Sequence, residues 1–142
     1  MCTVITKAQL GNPRVAKRDR KVYKVGICHV NNTFSPSFRT KFNYKQNVLV
    51  TTEFTYTTDA DKENNNHCDN VEGIYRYSLK DPQFVVKGFH SFTTFRRAMN
   101  YSRDNYHENV AEFIIPKGAE YYINPARCAV SNQIIYKGQC VQ

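Results

Sequence analysis

Between Phe84 and Tyr122 the chain reads as two short strands, a capped helix, a strand and a turn back into strand. No other stretch limits the possible folds as tightly. Gln83 to Val86 is β-branched and aromatic, and Lys87-Gly88 breaks it before Phe89-His90-Ser91-Phe92. Thr93 or Thr94 can accept a hydrogen bond from the open amides of the following turn and so serve as N-cap. Behind it Phe95, Ala98, Met99, Ser102 and Tyr106 recur at helical spacing, with Arg96, Arg97, Asn100, Arg103 and Asp104 on the opposite side. This predicts one main helix over about 94–106. Val110, Glu112 and Ile114 then alternate with Ala111, Phe113 and Ile115, the two-residue period of a strand, and Pro116-Lys117-Gly118 turns the chain.

The rest of the chain supplies partners for this unit. Strands are predicted near 2–6, 22–30, 48–58, 73–78, 120–124 and 128–136. Asn12-Pro13 resembles an N-cap followed by proline at the first helical position, which predicts a short N-terminal helix to about Lys17. Residues 31–38, with Ser35-Pro36, read as a loop, and the Asn-rich stretch 59–70 as a polar excursion. No repeat and no long linker divides the 142 residues. The expectation is a single compact α+β domain over 1–142, with a mostly antiparallel or mixed sheet. Its core should be aromatic, since there is no Trp but there are ten Tyr and nine Phe.

Charge is unevenly distributed. Residues 1–50 carry ten Lys/Arg against one Asp, residues 51–75 one Lys against six acids, and the remainder nine bases against five acids. The cluster Arg14, Lys17, Arg18, Arg20, Lys21 and Lys24 forms a candidate basic face. With little aromatic residue between its cations, such a face suits phosphate or carboxylate contact better than reading of bases. Apolar runs fall short of the ~20 residues of a membrane helix, and no signal-type segment opens the chain. No membrane association is expected, and the location is expected to be a virion or the host cytoplasm.

Candidate chemistry is sparse. The phosphate-loop, dinucleotide, zincin and hydrolase motifs are absent, so no cofactor is expected. Five cysteines at 2, 28, 68, 128 and 140, an odd number without CxxC spacing, argue against a disulfide framework and a zinc knuckle. His67-Cys68-Asp69 is too local to close a tetrahedral site, and no metal is expected. Cys2 would stand first after removal of Met1, a known nucleophile arrangement. Thr3 follows where such amidotransferases have glycine, so Cys2 reads as a strand residue. His90, with the hydroxyls of Ser91 and Thr93, sits just ahead of the helix and forms a possible ligand site; satisfaction of the imidazole by neighbouring hydroxyls is the plainer expectation. His29 and His107 have no partner readable from spacing.

Val22-Tyr-Lys-Val-Gly26, the Ser-Pro-x-Phe loop, Gly88-Phe-His-Ser-Phe92 and Ile115-Pro-Lys-Gly-Ala-Glu-Tyr-Tyr122 followed by Ser131-Asn-Gln-Ile-Ile135 resemble a group of small uncharacterised proteins of gut bacteria and their phages. The element order also faintly resembles the ADP-ribosyltransferase fold, with Ser91 or Thr93 at the hydroxyl position. Ser131-Asn132-Gln133 stands where that family carries its catalytic glutamate, which implies a degenerate site. Three functions are therefore expected in order. The first is a non-enzymatic, phage-type interaction protein, an auxiliary capsid-associated component that docks on acidic protein surfaces in an assembly. The second is a nucleic-acid or nucleotide binder, including one that sequesters a host signal nucleotide. The third is a degenerate transferase.

Overall fold

A computed structural model describes residues 3–37, 42–58, 70–106 and 108–141. Strand β3 (Arg20–Cys28) is the axis of a large antiparallel sheet. On one side it pairs along its length with β10 (Asn109–Ile115), Gly26 facing Asn109 and Arg20 facing Ile115. On the other it touches β9 (Phe89–Phe92) at Tyr23 and forms a hairpin with β4 (Thr33–Pro36), which holds β5 (Tyr44–Lys45). The hairpin lies so close that a side chain at Gly26 would collide with the Ser35 carbonyl. Strands β9 and β10, which the helix connects, therefore run in the same direction with β3 antiparallel between them.

The sheet curls on itself. Strands β12 (Cys128–Ser131) and β13 (Gln133–Val141) are one run of chain interrupted only at Asn132. Yet β12 pairs with β9 and β11 (Glu120–Ile123), whereas β13 pairs with β10 and β6 (Leu49–Thr51). A single residue thus joins two places with three strands between them, which only a closed curl permits. Asn132 pins the corner: its amide donates to the Glu120 carbonyl (3.0 Å), its carbonyl accepts from Thr52 (2.8 Å), and its Oδ1 accepts from the Glu120 amide (2.9 Å). Inside the curl Phe113 contacts Phe34 (5.3 Å between centroids), Tyr44 (5.0 Å) and Tyr136 (5.2 Å). This is the aromatic core expected of a chain without Trp.

Helix α2 (Phe95–Tyr101) covers the outer face, burying Ala98 and Tyr101 against Val25, Phe92 and Val110. Of the two predicted caps, Thr94 is the one used: its Oγ1 accepts from the Arg97 amide at 3.2 Å. The predicted 94–106 helix is α-helical only to Tyr101 and widens into a π turn over Ser102–Tyr106, so it is not one uniform helix. A second sheet, β1 (Thr3–Ile5), β8 (Gln83–Lys87) and β7 (Thr55–Thr57), packs on β11 and β12 through Ile5, Val85, Tyr122 and Val130.

Several local expectations are corrected. The short N-terminal helix does not form. Arg14–Val15 is instead strand β2, paired with Glu120 and Tyr121, because the open edge of β11 offers hydrogen bonds that an isolated turn cannot match. Residues 73–78, read as strand, belong to helix α1 (Asn70–Ser78), so the molecule has two short helices. Its Glu72 and Tyr75 point inward: Tyr75 packs with Leu79 on Val4 and Phe84, and the buried Glu72 Oε1 accepts from the Val4 amide (3.0 Å) and from Asn124 Nδ2 (2.7 Å). The predicted strand 48–58 divides into β6 and β7, which enter different sheets. Within the predicted loop 31–38, Thr33–Pro36 is β4, turned at Asn32 with φ 61°. The cysteine count misled as well: Cys28 and Cys140 form a disulfide, Cα atoms 6.5 Å apart, across 112 residues. The architecture is a small compact α+β domain, mostly antiparallel. Among the described residues no helix is long and apolar enough to cross a membrane.

Candidate functional site

Two regions carry functional groups, and both are built on β3. The first is the flank where β2 and the start of β3 meet the Pro116–Gly118 turn. The Ala16 amide donates to the Ala119 carbonyl and the Gly118 amide to the Ala16 carbonyl, each at 2.8 Å, while Asp19 Oδ1 accepts from the Lys117 amide at 2.9 Å. These bonds fasten the loop between β2 and β3, so Arg14, Lys17, Arg18, Arg20 and Lys21 are presented, exposed, on a supported backbone. Arg20 lies over the Tyr121 ring (5.1 Å) and donates to its hydroxyl (3.2 Å). Lys21 pairs with Glu112 at 3.0 Å, and that bond and charge raise its pKa above 10.5. Lys117, on the adjoining turn, adds a cation that sequence spacing could not place, since 98 residues separate it from Asp19.

Lys24 is a correction. It was expected on the basic face, but it shares strand parity with Val22 and Gly26 and turns inward, only 7 % exposed. Its Nζ donates to the His90 carbonyl and lies 5.5 Å from the Tyr44 ring and 5.8 Å from that of Phe113.

Of the three residues of the possible ligand site, His90 and Ser91 line one cavity and Thr93 does not. His90 Nδ1 is 2.8 Å from Thr3 Oγ1, and Nε2 is 3.1 Å from the Val86 carbonyl. A carbonyl can only accept, so the neutral ring protonated on Nε2 satisfies both contacts, with the Thr3 hydroxyl donating to Nδ1. The imidazole thus ties β1 and β8 to β9, the plainer of the two expectations. Ser91, its neighbour on the other side of the strand, is 5 % exposed, and its Oγ has no hydrogen-bond partner among the described residues. Thr93 holds the loop before β12: its amide and Oγ1 donate to the Arg127 carbonyl at 2.9 and 3.3 Å. It takes no part in the cavity wall.

The second region is a cavity of about 260 Å³ between β3, β4, β6, β9 and the end of α2. Tyr44, Phe89, Phe92 and Tyr101 supply aromatic wall, and Lys24, Lys87, Ser91, Thr51 and Thr52 supply polar groups. Among the described residues none that lines it is acidic, and the Glu108 carboxylate accepts from the lining Ser37 hydroxyl at 2.7 Å. Two of the three residues of the possible ligand site, His90 and Ser91, line this cavity. The signal for Lys24 was a lysine in phase with the apolar positions of a strand, Val22 before it and Gly26 after.

Among the described residues no three His, Cys, Asp or Glu side chains are grouped to hold a metal ion. Cys2, His67, Cys68, Asp69 and His107 lie outside the described residues. His29 Nε2 is 2.9 Å from Ser35 Oγ, within the β3–β4 hairpin. Where the transferase resemblance would require a carboxylate, the Asn132 side chain is occupied in the sheet corner. No family model, curated protein or solved structure matches this chain.

Proposed function

We propose that this protein acts by binding, as a non-enzymatic interaction component of the phage type that docks through its basic flank onto an acidic protein surface in an assembly such as a virion. One observation carries the reading. Arg14, Lys17, Arg18, Arg20 and Lys21 are all exposed, on a backbone already tied to the Pro116–Gly118 turn, so little ordering is required when a partner arrives. The flank favours carboxylates over nucleic-acid bases. Tyr121, the ring beside its arginines, is 4 % exposed and offers no stacking platform.

The test is fluorescence anisotropy with labelled polyglutamate and labelled oligothymidylate, from about 50 mM to about 200 mM salt. Polyglutamate is expected to bind at low salt, to weaken at least about tenfold across that range, and to be lost in the charge reversal Arg14→Glu/Lys17→Glu/Arg18→Glu. Tighter binding of oligothymidylate would transfer the reading to nucleic acid. Failure of both probes would end it.

A further inference from the structure

We propose that the cavity behind β3 is a binding site for a small aromatic carboxylate, separate from the basic flank and independent of its reading. Three observations converge. Among the described residues its wall carries two lysines and no acidic side chain, the Glu108 carboxylate reaching it only through a hydrogen bond from Ser37, so an anion entering it meets positive charge. Lys24 is held in that wall by the His90 carbonyl and by the faces of Tyr44 and Phe113, an ammonium fixed in place before any ligand arrives. Ser91, one residue along from that carbonyl, buries a hydroxyl with no hydrogen-bond partner among the described residues. A buried hydroxyl in that state is costly, and because its oxygen has almost no accessible surface as it stands, it would turn about Cα–Cβ toward a ligand oxygen to remove that cost.

The aromatic surface sets the rest of the ligand. Tyr44, Phe89, Phe92 and Tyr101 suit the flat face or edge of one ring. At about 260 Å³ the space lies just below the ~300–1,000 Å³ of sites for drug-sized ligands and cofactors. One ring with one acid group is the matching scale, and a nucleotide is too large. The carboxylate would lie toward Lys24 and Ser91 and the ring against the aromatic wall. No bond is made or broken.

The probes are phenylacetate and its neutral isostere phenylacetamide, followed by calorimetry and saturation-transfer NMR on the full chain. Phenylacetate is expected to bind at least about tenfold more tightly than the amide, because only the charged form gains the charge-assisted bond to Lys24. Lys24→Met should reduce phenylacetate to the level of phenylacetamide and leave the amide unaffected. Ser91→Ala should weaken phenylacetate severalfold. The flank reversal Arg14→Glu/Lys17→Glu/Arg18→Glu should not change it, which separates this site from the docking surface. Equal affinity for the two probes, or no binding of either, would refute the proposal. Should Lys24→Met fail to fold, undiminished binding in Ser91→Ala would refute it instead.

Discussion

Lys21 and Lys24 lie three residues apart on the same strand, and they define the two regions of this molecule. Lys21 faces water, its side chain 57 % exposed, and pairs with Glu112 at the rim. Lys24, on the other face of the strand, is buried among rings. The contrast is one of solvent. On the flank each cation keeps its hydration and water screens its field, so many cations acting together are needed to hold a partner. In the cavity wall Lys24, only 7 % exposed, acts on whatever enters with less screening. A feature that looks like one basic cluster in the sequence is therefore two settings, an exposed solvated face and one buried lysine against an aromatic wall.

The contrast breaks most directly in the core. Phe113→Ala removes the ring that Phe34, Tyr44 and Tyr136 share, and is expected to cost about 3–5 kcal/mol in urea denaturation. Arg18→Ala on the flank should stay within about 0.5 kcal/mol. Similar costs for the two would mean that the interior is not the rigid part. A smaller effect is expected from Cys28→Ser, or from reduction of the wild type. The Cys28–Cys140 bridge closes a loop across 112 residues, and its loss should lower stability by about 2–4 kcal/mol. Binding of polyglutamate should survive as long as the chain remains folded, because the flank lies at the opposite end of β3. The smallest effect concerns Lys21. Its raised pKa means that, while Glu112 is ionised, the pair contributes fully up to 10.5 and is lost as pH rises through the raised value. Glu112→Gln should remove that pH dependence, read as a change in the denaturation midpoint with and without added salt.

The 84–122 unit was legible because its signals are local. A threonine hydroxyl reaching the Arg97 amide, a two-residue alternation over Asn109–Ile115 and a proline-glycine turn each act within a few residues. The misreadings share the opposite character. Residues 12–17 carry a true helix-start signal, but the edge of β11, more than a hundred residues away, takes them into a sheet. Residues 73–78 fit both periods, and the contacts of Tyr75, Leu79 and Glu72 with β1, β8 and Asn124 select the helix. The candidate ligand site was legible in part: His90 and Ser91 line the cavity, whereas Thr93, just past the end of β9, bonds the Arg127 carbonyl instead.

The amino-acid sequence alone determined where most strands lie, where helix α2 begins, that the core is aromatic and that positive charge gathers near residues 14–24. Each of these follows from hydrogen bonding, backbone angles or side-chain type within a few residues. The tertiary structure decided which sheet each strand joins, that Cys28 meets Cys140, and that Lys24 sits in a cavity wall beside Ser91. Those outcomes depend on competition among distant strand edges for the same backbone partners, and no short stretch of chain records who its competitors are.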